Sequence, residues 1–165
     1  MSDLKLFVEK WLNIEKGFNE ESLSGKVVAI HAFQMLCPGC ILHGIPQAQR
    51  FHAAFNTEQV VIVGLHTVFE HHEAMREVSL KAFLHEFRVK FPVGIDKASG
   101  SDRIPLTMNH YKMQGTPTWL VFDRKGKLVM NAFGKIEDIE LSSVLTQLAL
   151  SAMPSGSGIL MGEQR

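Results

Sequence analysis

The stretch Val27-Val28-Ala29-Ile30-His31-Ala32-Phe33-Gln34-Met35-Leu36-Cys37-Pro38-Gly39-Cys40 carries most of the information in this chain. Lys26 to Phe33 is an almost unbroken apolar run, the pattern of a strand covered on both faces in a parallel sheet. Two cysteines follow it at once, and they are the only cysteines among 165 residues. A bridge between them would close so small a loop that it would barely constrain the unfolded chain, so its value must be chemical. Cys40 to Phe55 reads as a helix, weakened by Gly44 and kinked by Pro46. A C-x-x-C at such a strand-to-helix junction puts its first sulfur at a helix N-terminus. There the free N–H groups and the helix dipole favour an anion and bring a thiol down from about 8.5 into a range of roughly 3.5–7.5. Cys37 is then the exposed attacking thiolate and Cys40 the less exposed thiol that resolves the mixed disulfide. Pro38, which has no N–H to satisfy, suits the start of the helix. These residues point to thiol–disulfide exchange.

Outward from this stretch, Leu4 to Ile14 reads as an edge strand or arm and Val60 to Leu65 as a second buried strand. Glu73 to Val89 reads as a helix with the stripe Leu80, Phe83, Leu84 and Phe87. Phe91 to Ile95 is a brief apolar run, Asp96 to Ser101 a turn, and Ile104 to Tyr111 a short helix. Thr118–Phe122 and Leu128–Phe133 form a hairpin around Asp123 to Lys127. Ile136 to Met153 is a last helix that Pro154 stops. The order predicts an α/β chain with a mixed central sheet and helices on both faces, three layers in all. A single domain is expected over 1–153, with 154–165 as a flexible tail.

Composition narrows the function. Apolar residues make up 45% and charged residues 21%, and Lys+Arg and Asp+Glu are both 17. A balanced charge argues against a nucleic-acid footprint and against adsorption to anionic lipid. No apolar run reaches the length of a membrane span. The N-terminal residues carry no signal-peptide pattern, so a cytoplasmic protein is expected, or a periplasmic one if a leader has been removed. Neither cofactor nor metal is expected. Zinc needs four ligands, and His43 or His31 would have to complete the two cysteines. Haem attachment needs a histidine where Ile41 stands. A metal-binding or redox-sensing domain is the non-catalytic alternative.

With Cys37-Pro38-Gly39-Cys40 behind a buried strand, and Gly115-Thr116-Pro117-Thr118 ahead of an apolar strand and a Lys-Gly hairpin, the sequence resembles the thioredoxin superfamily. A strand-and-helix insertion over about Glu73 to Asp96 resembles its TlpA/ResA-like branch. The resemblance spans roughly Lys26 to Met153. It implies a thioredoxin-like fold and a thiol–disulfide oxidoreductase. A cytosolic location favours the reducing direction, on protein or small disulfides with an upstream thiol reductant, and a monomer is the default expectation. The resemblance also implies a cis Pro117 beside the sulfurs and a Thr116 backbone that meets an extended substrate. Pro38 and Gly39 would border the same site.

Several positions depart from the family pattern. Leu36 replaces the usual Trp, and Pro46 falls six residues after Cys40 rather than five, which leaves room for a bulge or a different helix start. His31 stands where thioredoxins have a buried acid and TlpA-like proteins often Asn. It is either a proton acceptor for Cys40, directly or through water, or a buried neutral imidazole satisfied by a backbone group. Glu70, in the connection after the second strand, is either an acid near the redox pair or part of a solvated loop. His71 and His72 could collect metal adventitiously, and Phe33 and Trp119 are most simply core residues. A peroxiredoxin-like peroxidase would need Pro and Thr seven and three residues ahead of its cysteine. Ile30 and Gln34 hold those places before Cys37, and Phe33 and Cys37 before Cys40.

Overall fold

The computed structural model describes residues 1–151; residues 152–165, including the expected tail and the end of the expected last helix, lie outside the described residues. Six strands form one sheet in the order β1-β4-β3-β2-β5-β6. Strands β2 (Val27–Phe33), β3 (Val60–His66) and β4 (Val93–Asp96) run parallel. Strand β1 (Val8–Leu12) adds antiparallel to β4, β5 (Thr118–Phe122) antiparallel to β2, and β6 (Leu128–Phe133) antiparallel to β5. Every residue of β2 and β3 is buried, which explains why their sequences read as unbroken apolar runs rather than alternating ones.

The two faces of β2 feed two cores. Val27, Ala29 and Phe33 pack with α1 (Ile45–Ala54), α2 (Glu77–Glu86) and α4 (Asp138–Ser151), through Ala48, Leu80, Leu84, Leu141 and Leu145. Val28, Ile30 and Ala32 face the other way, toward α3 (Leu106–His110), the N-terminal arm and a short 3-10 turn at Glu20–Leu23. The sheet is therefore the middle of three layers. The redox sequence sits at the C-terminal end of its central strand.

Three differences from the sequence reading go beyond a shift of a residue or two at an element's end. Helix α2 begins at Glu77 rather than Glu73, because His71 holds a left-handed φ of 47° and Arg76 is extended. It ends at Glu86 because Arg88, at φ 53°, turns the chain out of the helix. Asp96, expected in a turn, instead closes β4 and is buried. Its carboxylate accepts from Thr67 Oγ1 at 2.8 Å and from the N–H groups of Thr107 at 2.8 Å and Met108 at 3.0 Å, so it caps α3. Third, the single kinked helix expected from Cys40 to Phe55 is a π-turn over Cys40–Gly44 followed by α1. The Ile45 N–H bonds back to the Cys40 carbonyl, five residues away. Pro46 has no N–H to hold the next bond in ordinary register, so the extra residue between Cys40 and Pro46 is absorbed in this wider turn.

Candidate functional site: a dithiol at a helix N-terminus

Beyond β2 the chain makes a tight turn through Gln34-Met35-Leu36, closed by the Cys37 N–H donating to the Gln34 carbonyl at 3.2 Å. Cys37 then occupies a capping position. Its carbonyl accepts from the Ile41 N–H at 3.1 Å, and its Sγ accepts from the Cys40 N–H at 3.3 Å, as a serine oxygen would at a helix start. Its thiol donates to the Thr116 carbonyl at 3.5 Å. Cys37 is half-buried and Cys40 fully buried, both as free thiols. Burial pushes the Cys40 thiol up to about 12, with the neighbouring Cys37 adding to the effect.

The Thr116–Pro117 peptide is cis and lies against the pair. A Cβ on Gly39 would stand 3.3 Å from Pro117 Cδ, so the glycine lets the dithiol turn and the proline approach closely. The loop is tied down from both sides. Thr118 Oγ1 donates to the Gly115 carbonyl at 2.7 Å, and the Gly134 N–H donates to the Pro117 carbonyl at 2.8 Å. Cys37, Cys40, Pro38, Gly39, Thr116 and Pro117, read from two distant parts of the sequence, thus meet at one end of the sheet.

His31 lies beneath this group on the α1 side of β2. It is fully buried, and burial holds its imidazole down at about 3. The backbone partner considered for a neutral imidazole is missing, for neither ring nitrogen finds a hydrogen-bond partner. Its neighbours are aromatic, Trp119 at 5.0 Å and Phe33 at 5.7 Å between ring centroids. Its Nε2 faces Gly44 of the π-turn so closely that a Cβ there would lie 2.0 Å away. Burial disfavours both the thiolate of Cys40 and the imidazolium of His31, which opposes direct proton transfer between them.

Glu70 is exposed, yet it is held beside the turn. Gln34, buried, donates from Nε2 to Glu70 Oε1 at 3.3 Å and accepts the Phe69 N–H at 3.1 Å. His66 accepts the Met35 N–H through Nε2 at 3.4 Å. Sequence reasoning missed both Gln34 and His66 as supports of the turn. The available signal was polarity, since His66 ends an otherwise apolar strand and Gln34 directly follows one. Among the described residues no three His, Cys, Asp or Glu side chains gather to hold a metal, and His43 is exposed. No helix among them is long and apolar enough to cross a membrane.

A cis proline packed on a C-x-x-C at the end of a central strand defines a thiol–disulfide oxidoreductase of the thioredoxin-like kind. The chain belongs to the thioredoxin-like superfamily. It is 48% identical to a crystallographically determined thioredoxin-like superfamily protein, over 93% of this chain and 99% of that one, with a TM-score of 0.87. It is 46% identical to a thiol–disulfide isomerase from Corynebacterium glutamicum, over 89% and 95% of the two chains, with a TM-score of 0.86. StoA from Bacillus subtilis shares the fold at 21% identity and a TM-score of 0.60, over 74% of this chain and 84% of that one. No family model and no curated protein matches the chain.

Proposed function

We propose that Cys37 is the nucleophile and Cys40 the resolving thiol of a two-electron disulfide reductase. The Cys37 thiolate attacks one sulfur of a substrate disulfide and releases the other as a thiolate, leaving a mixed disulfide at Cys37. Cys40 loses its proton and attacks Cys37 Sγ. A Cys37–Cys40 disulfide forms, and the substrate leaves fully reduced. An upstream thiol system returns the pair to the dithiol. The observation that carries this reading is the asymmetry of the two sulfurs: Cys37 is half-exposed at a helix start with the Cys40 N–H donating to it, and Cys40 lies buried below.

Thr116 and Pro117 are proposed to receive an extended substrate segment, with Pro38 and Gly39 beside it. The geometry supports His31 as a neutral wedge under the π-turn that positions Cys40, rather than as its direct base. In the cytoplasm, where thiols are kept reduced, the pair runs in the reducing direction on protein or small disulfides. The α2–β4 insertion supports membership of the TlpA/ResA-like branch.

The test is trapping. Cys40→Ser incubated with a disulfide substrate should accumulate a mixed disulfide at Cys37, seen as a mass adduct on that residue's peptide. An adduct that forms equally on Cys37→Ser would overturn the assignment.

A further inference from the structure

At the rim of the sheet away from the dithiol, the C-terminal end of α2 and the end of β1 border a cleft of about 450 Å³. Leu12, which lines it, pairs with Val93, the first residue of β4. The cleft therefore marks the N-terminal end of β4, whereas the dithiol follows the C-terminal end of the parallel strand β2.

The floor of the cleft is apolar, made by the buried side chains of Leu12, Leu84 and Val89. Its walls are basic, with Lys81, His85, Arg88 and Lys90 all exposed. Among the described residues no Asp or Glu lines it. Glu86 stands about 200° around the helix from Leu84 and faces away. Glu77 is shared between Lys10 at 2.6 Å and Lys81 at 2.7 Å. Arg88 and Lys90 make no ion pair among the described residues. The charge of Lys90 is felt at His52, whose ring is held below the ordinary histidine value by burial and then by Lys90.

A second feature concerns the backbone. Helix α2 ends in a Schellman turn, in which the Val89 N–H donates to the Leu84 carbonyl at 3.0 Å and the Arg88 N–H to the His85 carbonyl at 3.1 Å. Arg88 fills the left-handed position of that turn, at φ 53°. Glycine is the usual occupant there, and the Cβ of an arginine is strained. Backbone strain of this kind collects at binding sites, and here it delivers a guanidinium to the cleft. Asn13 lines the opposite wall and donates from Nδ2 to the Val89 and Phe91 carbonyls, which ties the end of β1 to the connection after α2.

We propose that this cleft docks an extended acidic segment of a partner protein. Carboxylates of the segment meet Arg88 and Lys90, and an apolar side chain between them covers the floor formed by Leu12, Leu84 and Val89. A nucleic acid would match the charge but leave that floor uncovered, and the chain as a whole has no basic excess. A segment docked at this rim leaves Cys37 open, so the cleft can hold a partner while the dithiol works. The inference does not rest on the roles assigned to Cys37 and Cys40.

The probe is a short fluorescent peptide that alternates glutamate with leucine, titrated with the reduced full chain and followed by anisotropy. Two companion peptides carry glutamine in place of glutamate, or serine in place of leucine. Saturable binding of the first peptide is expected, weakening as salt is raised. Each companion should bind about fivefold or more weakly. The double variant Arg88→Gly, Lys90→Ser should bind the first peptide about tenfold more weakly. Arg88→Gly alone should weaken binding and at the same time raise the urea midpoint, because glycine relieves the left-handed position; the loss is then not one of folding. Absence of saturable binding, or binding unchanged in the double variant, overturns the site. Equal binding of the serine companion, or displacement of the peptide by oligothymidylate at equal charge concentration, overturns the acidic protein segment as its occupant.

Discussion

Replacing Gly44 with alanine isolates the contact that seats the π-turn on His31. Gly44 has ordinary helical angles, φ −65° and ψ −53°, so its backbone does not require glycine. On propensity alone, alanine there would stabilise the helix by roughly 0.5–1 kcal/mol. The new Cβ would instead lie 2.0 Å from His31 Nε2 and 2.6 Å from Cε1, far inside the ~3.5–4.0 Å optimum for non-bonded atoms. Trp119 and Phe33 pack around the buried ring, which resists its displacement. Overpacking of this kind costs about 1–3 kcal/mol, and Gly44→Ala is expected to fall at the upper end. In a His31→Ala background the obstacle is gone, and the same change should be neutral or stabilising by up to ~1 kcal/mol. The sign of one substitution thus reverses with the residue opposite. Urea unfolding of the four reduced proteins reads this directly, each glycine change being compared within its own background. Equal costs in both backgrounds, within about 0.5 kcal/mol, would refute the wedge.

His31 and His66 are both held below the ordinary histidine value of about 6.5, His31 to about 3 and His66 to about 4. Their contribution is fully present above pH ~6.5 and is lost as pH falls toward those values. Each adds a slope of at most ~1.4 kcal/mol per pH unit. His31→Gln should flatten that slope between pH 7 and pH 5 in urea midpoints; an unchanged slope would contradict the burial of a neutral ring. Because the Cys40 thiol is buried and pushed up to about 12, brief iodoacetamide treatment of reduced protein near pH 8 should label Cys37 and spare Cys40 in peptide mass spectra. Equal labelling would show that Cys40 is not shielded. Asp96→Ala should destabilise by about 3 kcal/mol or more, since it leaves three buried donors without an acceptor. Asp96→Asn keeps one oxygen and should cost clearly less in thermal unfolding; equal losses would remove the capping role.

Much of this arrangement was legible in the sequence because the decisive signals are local. Lys26 to Phe33 and Val60 to Leu65 read as buried strands since both faces of β2 and β3 are covered. The dithiol stood out by residue type and spacing, and the proline loop at Gly115–Thr118 through the resemblance to the thioredoxin superfamily. What was not legible depends on contacts between distant segments. Nothing local in Asp96 says that Thr67 and α3 will surround its carboxylate. The early start assigned to α2 failed because a left-handed His71 and an extended Arg76 override an otherwise helical pattern. The single residue of excess spacing before Pro46 did signal an irregular helix start. It took the packing of Gly44 on His31 to give that irregularity its form. Gln34 and His66 hold the redox turn through side chain–backbone bonds that leave no periodic trace.

The central claim rests on one reversible reaction, the closing of a Cys37–Cys40 disulfide. The reduced chain is equilibrated with glutathione mixtures of known ratio, and the remaining thiols are trapped and counted by mass. A single two-electron transition is expected, abolished in Cys37→Ser and in Cys40→Ser, with a potential nearer ~−270 mV than ~−120 mV. Failure to form that disulfide at any ratio would contradict the account.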